Sequence, residues 1–248
     1  MRVERQHAFV LHQREYSESS LLVELFTREH GRVGVIAKGA RRPRSGRRGL
    51  LAPFQPLLVG WSGKGELGVL TGVEATGPAF ELGGQAVYCG FYVNELVMRL
   101  VHRHDPHEDL FAVYDVCLRE LGSDPDIERT LRKFEYRLLQ ELGYGLVLDR
   151  DVANNMPIDP GMLYRYVPDE GPHPVASAGR SPAETYVHGR TLLALAHGEF
   201  DDPDSVAELK GLMRALIAHR LDYKPLQSRR IFTGRSRLPA AGNNGDKE

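Results

Sequence analysis

The chain is 248 residues long, room for one large domain or two to three small ones. Hydrophobic residues make up 42% and charged residues 26%, the balance of a soluble globular protein, and no apolar run approaches the ~20 residues that span a bilayer. The net charge of −1 hides an asymmetry: residues 1–80 carry 12 Lys and Arg against 7 Asp and Glu, residues 81–219 carry 13 against 23, and residues 220–248 carry 7 against 3.

From residue 5 to about 75 the pattern is β. His7-Ala8-Phe9-Val10-Leu11-His12 is a first apolar run, and Leu21-Leu22-Val23-Glu24-Leu25-Phe26-Thr27 follows a polar turn at Ser17-Glu18-Ser19-Ser20. Glu29-His30-Gly31 turns tightly into Arg32-Val33-Gly34-Val35-Ile36-Ala37. Then come Pro56-Leu57-Leu58-Val59-Gly60-Trp61 and Leu67-Gly68-Val69-Leu70-Thr71-Gly72-Val73. Five short strands with glycine-rich turns predict a small barrel, with the OB type leading and an SH3-like barrel as the other candidate.

Between the third and fourth runs lies a segment with Lys38, Arg41, Arg42, Arg44, Arg47 and Arg48 and no acid. Two glycines, a proline and a serine keep it from settling as helix or strand. A solvated turn is the plain reading. Six uncompensated cations favour a phosphate-binding loop, because Lys and Arg release the counterions condensed on a polyanion. Arg32 joins it as a candidate, and Trp61 is the best exposed aromatic for stacking on bases; Phe9, Phe26 and Phe54 read as core or partial core.

After Pro78 the period becomes helical. Val87, Phe91, Asn94, Leu96 and Leu100 mark a helix over roughly 84–104, and Leu110, Val113 and Cys117 mark a second. Ser123-x-x-Asp126 resembles a capping box before Ile127, Leu131, Phe134 and Leu138. Residues 149–183, rich in Asp, Asn, Pro and Gly, predict a long irregular insert with one short hairpin at 162–167. Helices return near 188–197 and 205–219, the latter with Ser205-x-x-Glu208 as cap signal. The fold class is therefore α+β: a five-stranded OB-type barrel over 1–79, a mainly α-helical domain over 80–235 with an irregular insert, and a disordered tail over 236–248.

Several motifs have modest chemistry. Gly63-x-Gly65-x-x-Gly68 matches a dinucleotide fingerprint but lies between two strands, where no helix N-terminus can meet a pyrophosphate, so it reads as a hairpin. His102, His104 and His107 with Asp105 and Glu108 carry metal-ligand types but sit at a helix end, and Asp149, Asp151 and Asp159 lie among turn formers. No metal or cofactor is expected. Cys89 and Cys117 read as buried free thiols. Without the apolar core of a signal peptide, the expected compartment is the cytoplasm. Arg129, Arg132 and Lys133 share a helix face beside Leu131 and Phe134; a solvated face is the stronger reading, and a pocket for an acidic-apolar peptide the functional one. Lys224, Arg229 and Arg230 form a second basic cluster suited to phosphate.

Taken together, Tyr16-Ser17-Glu18-Ser19-Ser20-Leu21, Phe26-Thr27-x-x-x-Gly31-Arg32-Val33, Val35-Ile36-Ala37-Lys38-Gly39-Ala40-Arg41, Leu51-x-Pro53-Phe54-x-Pro56-Leu57-Leu58, Tyr92-Val93-Asn94-Glu95-Leu96, Leu131-Arg132-x-Phe134-Glu135, Leu142-Gly143-Tyr144-Gly145 and Lys224-Pro225-Leu226-x-Ser228-Arg229 resemble RecO, the recombination mediators of the SOS-independent RecF pathway, in their proteobacterial form. The resemblance spans most of residues 7–230. It implies an OB domain followed by a helical domain in a nucleoid-associated protein that is not an enzyme. Such a protein binds single- and double-stranded DNA, anneals complementary strands, and with RecR loads RecA onto single strands coated by the single-strand-binding protein SSB. It also implies that the SSB C-terminal tail docks on the helical domain, with Arg132 as first choice for its carboxylate and Lys210 and Arg214 as weaker candidates. The four-cysteine zinc site of other branches has no counterpart in 149–159, so zinc is not expected and turns and side-chain hydrogen bonds must hold that segment. The rival readings are an RNA-binding OB module and a metal-dependent nuclease built on Asp149, Asp151 or the histidine cluster.

Overall fold

In the computed structural model, which describes residues 2–43, 45–63, 65–179, 181 and 184–228, five strands close into a barrel. They are β1 (Arg2–Glu15), β2 (Leu21–Thr27), β3 (Gly31–Ala37), β4 (Leu57–Ser62) and β5 (Leu67–Ala75). Their order is β1-β2-β3-β5-β4, with β3 and β5 parallel and the other pairs antiparallel, an OB-type closure as the sequence predicts. β1 extends well beyond its apolar run because its first half pairs with β4 and its second half with β2. Register shifts at Val3/Gln6 and Val10/His12 mark where extra residues bend the strand around the barrel. Val10, Val23, Leu25, Val35 and Val59 fill the interior.

The other face of β1 and β2 is buried as well. Phe9 and Phe26 point out of the barrel and pack on Phe111 and Tyr114, with ring centroids 5.1–5.6 Å apart. These partners stand on α3 (Glu108–Ser123), which follows α2 (Gly84–Leu100). The bulge at Val10/His12 turns Leu11 O away from the ladder; the Asn94 amide on α2 donates to it at 3.0 Å, and Asn94 in turn accepts from the Tyr114 hydroxyl at 2.6 Å. The outer face of β1 and β2 thus shares an apolar core with the helices, separate from the barrel interior.

The helical part adds α4 (Ile127–Glu141), α5 (Gly189–His197) and α6 (Pro203–Arg220), after a short α1 (Arg47–Leu50) inside the basic segment. α2 ends at Leu100, four residues before the predicted end, and the chain crosses to the barrel, where His104 N–H donates to Arg32 O. The caps also differ from expectation. Asp126 caps α4 by accepting from Arg129 N, and Asp202 caps α6 by accepting from Ser205 N, with Pro203 opening that helix. Ser123 and Ser205 are cap-forming residues that stand three positions from the residues that do the capping. No helix of the described residues is long and apolar enough to cross a membrane.

The insert is not irregular throughout. Residues 163–188 hold a three-stranded antiparallel sheet, β6 (Leu163–Val167), β7 (Gly171–Val175) and β8 (Thr185–His188), in the order β7-β6-β8. Pro172 and Pro174 disguise β7, and they fit because β7 is an edge strand. Tyr164, Tyr166 and Val187 pack this sheet on Leu139, Leu209 and Met213. Before it, residues 149–158 fold around Asp151, which is 4% exposed. Its carboxylate accepts from Asn154 N at 2.6 Å and Met156 N at 3.1 Å, while Asp151 N donates to Met156 O. Turns and side-chain hydrogen bonds hold the segment, as expected. The tail over 236–248 lies outside the described residues.

Candidate nucleic-acid interface

Antiparallel pairing puts the β1–β2 turn and the β3–β4 loop at one end of the barrel, and the β2–β3 turn and β4–β5 hairpin at the other. The basic segment belongs to the first end. Ala40 and Leu51, both fully buried, tether it to the barrel. Arg42 N donates to Gly39 O at 3.1 Å and Ser45 Oγ to Ala40 O at 2.8 Å, so the loop is folded on itself.

Its cations have two different fates. Arg41 is a pin: its N–H donates to Ser19 O, Nη1 donates to Ser17 O at 2.8 Å, and Nη2 lies 2.7 Å from Glu15. Lys38, Arg42 and Arg48 are exposed and Arg47 is half-buried, and no acid among the described residues pairs with any of them. Arg14, exposed near the end of β1 and also unpaired among the described residues, extends this positive end and was not foreseen. Arg44, Arg229 and Arg230 lie outside the described residues. Lys224 is exposed, 3.4 Å from Asp222, and the segment behind it is anchored by Leu226, which is buried, and by Glu95, which accepts from Gln227 N, Ser228 N and Ser228 Oγ.

Two predicted contacts are withdrawn from solvent. Trp61 is 7% exposed and sits at the end of the barrel away from the basic loop, edge-on to His30 at 5.3 Å. Gly68 makes its seat, since a Cβ there would come within 2.8 Å of the indole Cδ1. Arg32 donates to Val101 O at 3.1 Å and lies 4.0 Å from Glu24, and burial pulls its guanidinium below the ordinary value against the pull of that carboxylate. Glu24 also bonds Arg103, from the segment after α2. An acid in an otherwise apolar strand was the sequence signal for this sealed cluster.

The second candidate region is likewise more occupied than its sequence suggests. Arg132 is 5% exposed and faces the core, 3.0 Å from Glu135, which also accepts from the Tyr92 hydroxyl at 2.5 Å. Leu131 and Phe134 are buried. Arg129 is held by Asp124 at 2.7 Å, and Lys210 by Glu128 at 2.6 Å. A groove of about 250 Å³ between α4 and α6 is lined by Phe200 and Val206 and by Asp126, Glu128 and Asp201, with Lys210 at its side. Arg214 is exposed and Lys133 half-buried, both without an acid partner among the described residues.

The other singled-out residues gather no chemistry. His107 pairs with Asp105 at 3.1 Å, and no three His, Cys, Asp or Glu among the described residues come together as a metal site would require. The glycine fingerprint is the β4–β5 hairpin. Cys89 and Cys117 are free and buried, and burial raises the Cys89 thiol to about 11 and holds the Cys117 thiol well above its ordinary value.

Comparison with known proteins agrees with this architecture. The family models described as Recombination protein O N terminal and Recombination protein O C terminal match residues 1–79 and 83–230. The chain is 48% identical over 231 residues to a DNA repair protein RecO of Nitrosospira multiformis, covering 93% of this chain and 95% of that one. It is 48% identical over 235 residues to the protein of that name from Methylococcus capsulatus, 95% of each. With that of Nitrosococcus oceani it shares 46% over 248 residues, 100% of this chain and 99% of the relative.

Proposed function

The chain belongs to the RecO family of DNA repair proteins, and from that premise we propose that it is a non-enzymatic recombination mediator that binds single- and double-stranded DNA through the cationic end of its barrel. The observation that carries this reading is the set of four cations with no acid partner among the described residues, Lys38, Arg42, Arg47 and Arg48, on a loop pinned by Arg41. Phosphate contacts carry no base information, which suits a protein that acts on any broken strand. Such a surface screens repulsion between two strands and leaves their base edges free, so complementary strands anneal on it. With RecR, the protein helps place RecA on SSB-coated single strands. The acidic SSB tail docks beside α4 and α6, where Lys133 and Arg214 are open and Lys210 trades Glu128 for a tail carboxylate.

The test is titration of fluorescent oligonucleotides at several salt concentrations, with Lys38, Arg42, Arg47 and Arg48 changed to Ala. Each phosphate left without its cation should flatten the log–log salt slope by about 0.7 for single strands and 0.9 for duplex. An unchanged affinity and slope would remove the loop from the interface. RNA competitors in the same titration test the RNA-binding reading, and incubation of plasmid with magnesium or manganese tests for nuclease activity.

A further inference from the structure

An OB barrel that holds single strands usually supplies aromatic faces for the bases as well as cations for the backbone. Here the aromatic foreseen for that task is out of reach, since Trp61 lies over Gly68 at the far end, and the three read as core are buried too: Phe9 and Phe26 in the contact with α3, and Phe54 against Phe91 on α2. Among the described barrel residues one aromatic remains open. Tyr16, at the start of the β1–β2 turn, is 54% exposed.

We propose that Tyr16 is the base-stacking residue of this protein and gives the cationic end its preference for unpaired bases. The proposal rests on the reading of that end as the DNA interface. Three relationships carry it. The turn is closed: Tyr16 N donates to Ser20 O at 3.1 Å, so the ring stands on a hydrogen-bonded backbone loop. The turn is fixed to the basic segment: Arg41 clamps Glu15 and Ser17, the two neighbours of Tyr16. A strand whose phosphates lie along Lys38 and Arg42 therefore passes beside the ring. Finally, a base in a duplex already has both faces stacked, whereas an unpaired base can turn one face to Tyr16. The cations act on both forms of DNA and the ring on one.

The experiment compares the full chain with Tyr16→Ala and Tyr16→Phe on a fluorescein-labelled oligothymidine, on the same strand with abasic sites, and on a duplex. Tyr16→Ala should weaken the oligothymidine about tenfold or more and leave the abasic strand and duplex within about twofold, with the salt slope unchanged. Tyr16→Phe should bind as the parent does. Thermal melting checks that both variants are folded. If the parent binds the oligothymidine with a steep salt slope and Tyr16→Ala does the same, stacking is overturned while the cationic interface stands. Equal losses on all three probes also overturn it, because the ring would then be acting through the turn. If the parent itself shows no salt-dependent binding, the interface reading falls and the stacking proposal with it.

Discussion

Glu24 on β2 and Arg103 in the segment after α2 are bonded to each other across the outer face of the barrel. Arg103 also donates to Glu66 O on the far side of β3, at 3.4 Å, and lies against Gly34, whose missing side chain gives it room. The middle of the β2–β3 face is thereby closed by protein. The end of the barrel that carries the basic segment stays exposed, at Lys38, Arg42 and Arg48.

Cutting that bond should cost stability. The Glu24 side chain is 9% exposed, and Arg32 lies on its other oxygen. Glu24→Ala leaves two arginines facing each other without their acid, a loss of roughly 3 kcal/mol for a largely buried pair broken on one side. Urea unfolding should show the drop, and the double variant Glu24→Ala with Arg103→Ala should be less impaired than the sum of the two singles. Additive losses would mean the pair does not act as one.

How much of this could be read in the sequence follows from which faces are buried. The five strands stand out because apolar runs alternate with glycine turns. Their facing does not, because β2 is covered on both sides, and a run such as Leu21-Leu22-Val23 looks the same whether Val23 or Leu22 points inward. Phe9 and Phe26 could thus be read as buried but not as contacts to α3. Cap positions were hidden by surplus: Asp201, Asp202, Asp204 and Ser205 all suit a helix start, and only packing selects Asp202. The basic loop was legible as charge, but not the division of its described cations into one pinned arginine and four without an acid partner, since Glu15 and Ser17 are distant from Arg41 in the chain.

Arg132 offers a sharper test of helix-face reasoning. Its guanidinium is inside the molecule beside Glu135, with the two side chains 6% and 1% exposed. Arg132→Glu would set two carboxylates together in the core, and by analogy with one-sided disruption of buried pairs should cost at least about 3 kcal/mol. The expected result is a large fall in melting temperature with loss of DNA and SSB-tail binding together. Lys133→Glu and Arg214→Glu, on accessible side chains, should melt near the parent and weaken only the tail peptide. A folded Arg132→Glu variant with normal melting would contradict the buried placement.

Asp151 does for residues 149–158 what a bound ion or a disulfide would do elsewhere. Its two oxygens each hold a backbone N–H, so Asp151→Ala strands two donors at a cost of about 1–3 kcal/mol each where they stay dry. The damage should be local. Hydrogen exchange should rise across 150–158, including Val152, which donates to Pro172 O on β7, while the barrel keeps its protection. Uniform loss of protection across the chain would show that the loop is no separate unit.

Acid should loosen the anchor of Gln227 and Ser228 on Glu95. Burial alone would raise the pKa of this carboxyl, but the N–H groups of Ser228 and Gln227, the Ser228 hydroxyl and Arg99 outweigh it and hold the group below its ordinary value. Glu208 behaves alike: burial opposes, while the Thr191 hydroxyl and His188 prevail. A carboxyl whose folded pKa is depressed contributes stability that is fully present above its unfolded value and disappears as pH falls through the folded one. The loss therefore begins below about pH 4.5 and grows with further acid. Glu95→Gln keeps the shape and removes the titration, so its unfolding free energy should be lower at neutral pH and fall less steeply between about pH 4.5 and pH 3. Parallel acid curves for parent and variant would show that the anchor at Gln227 and Ser228 does not depend on charge.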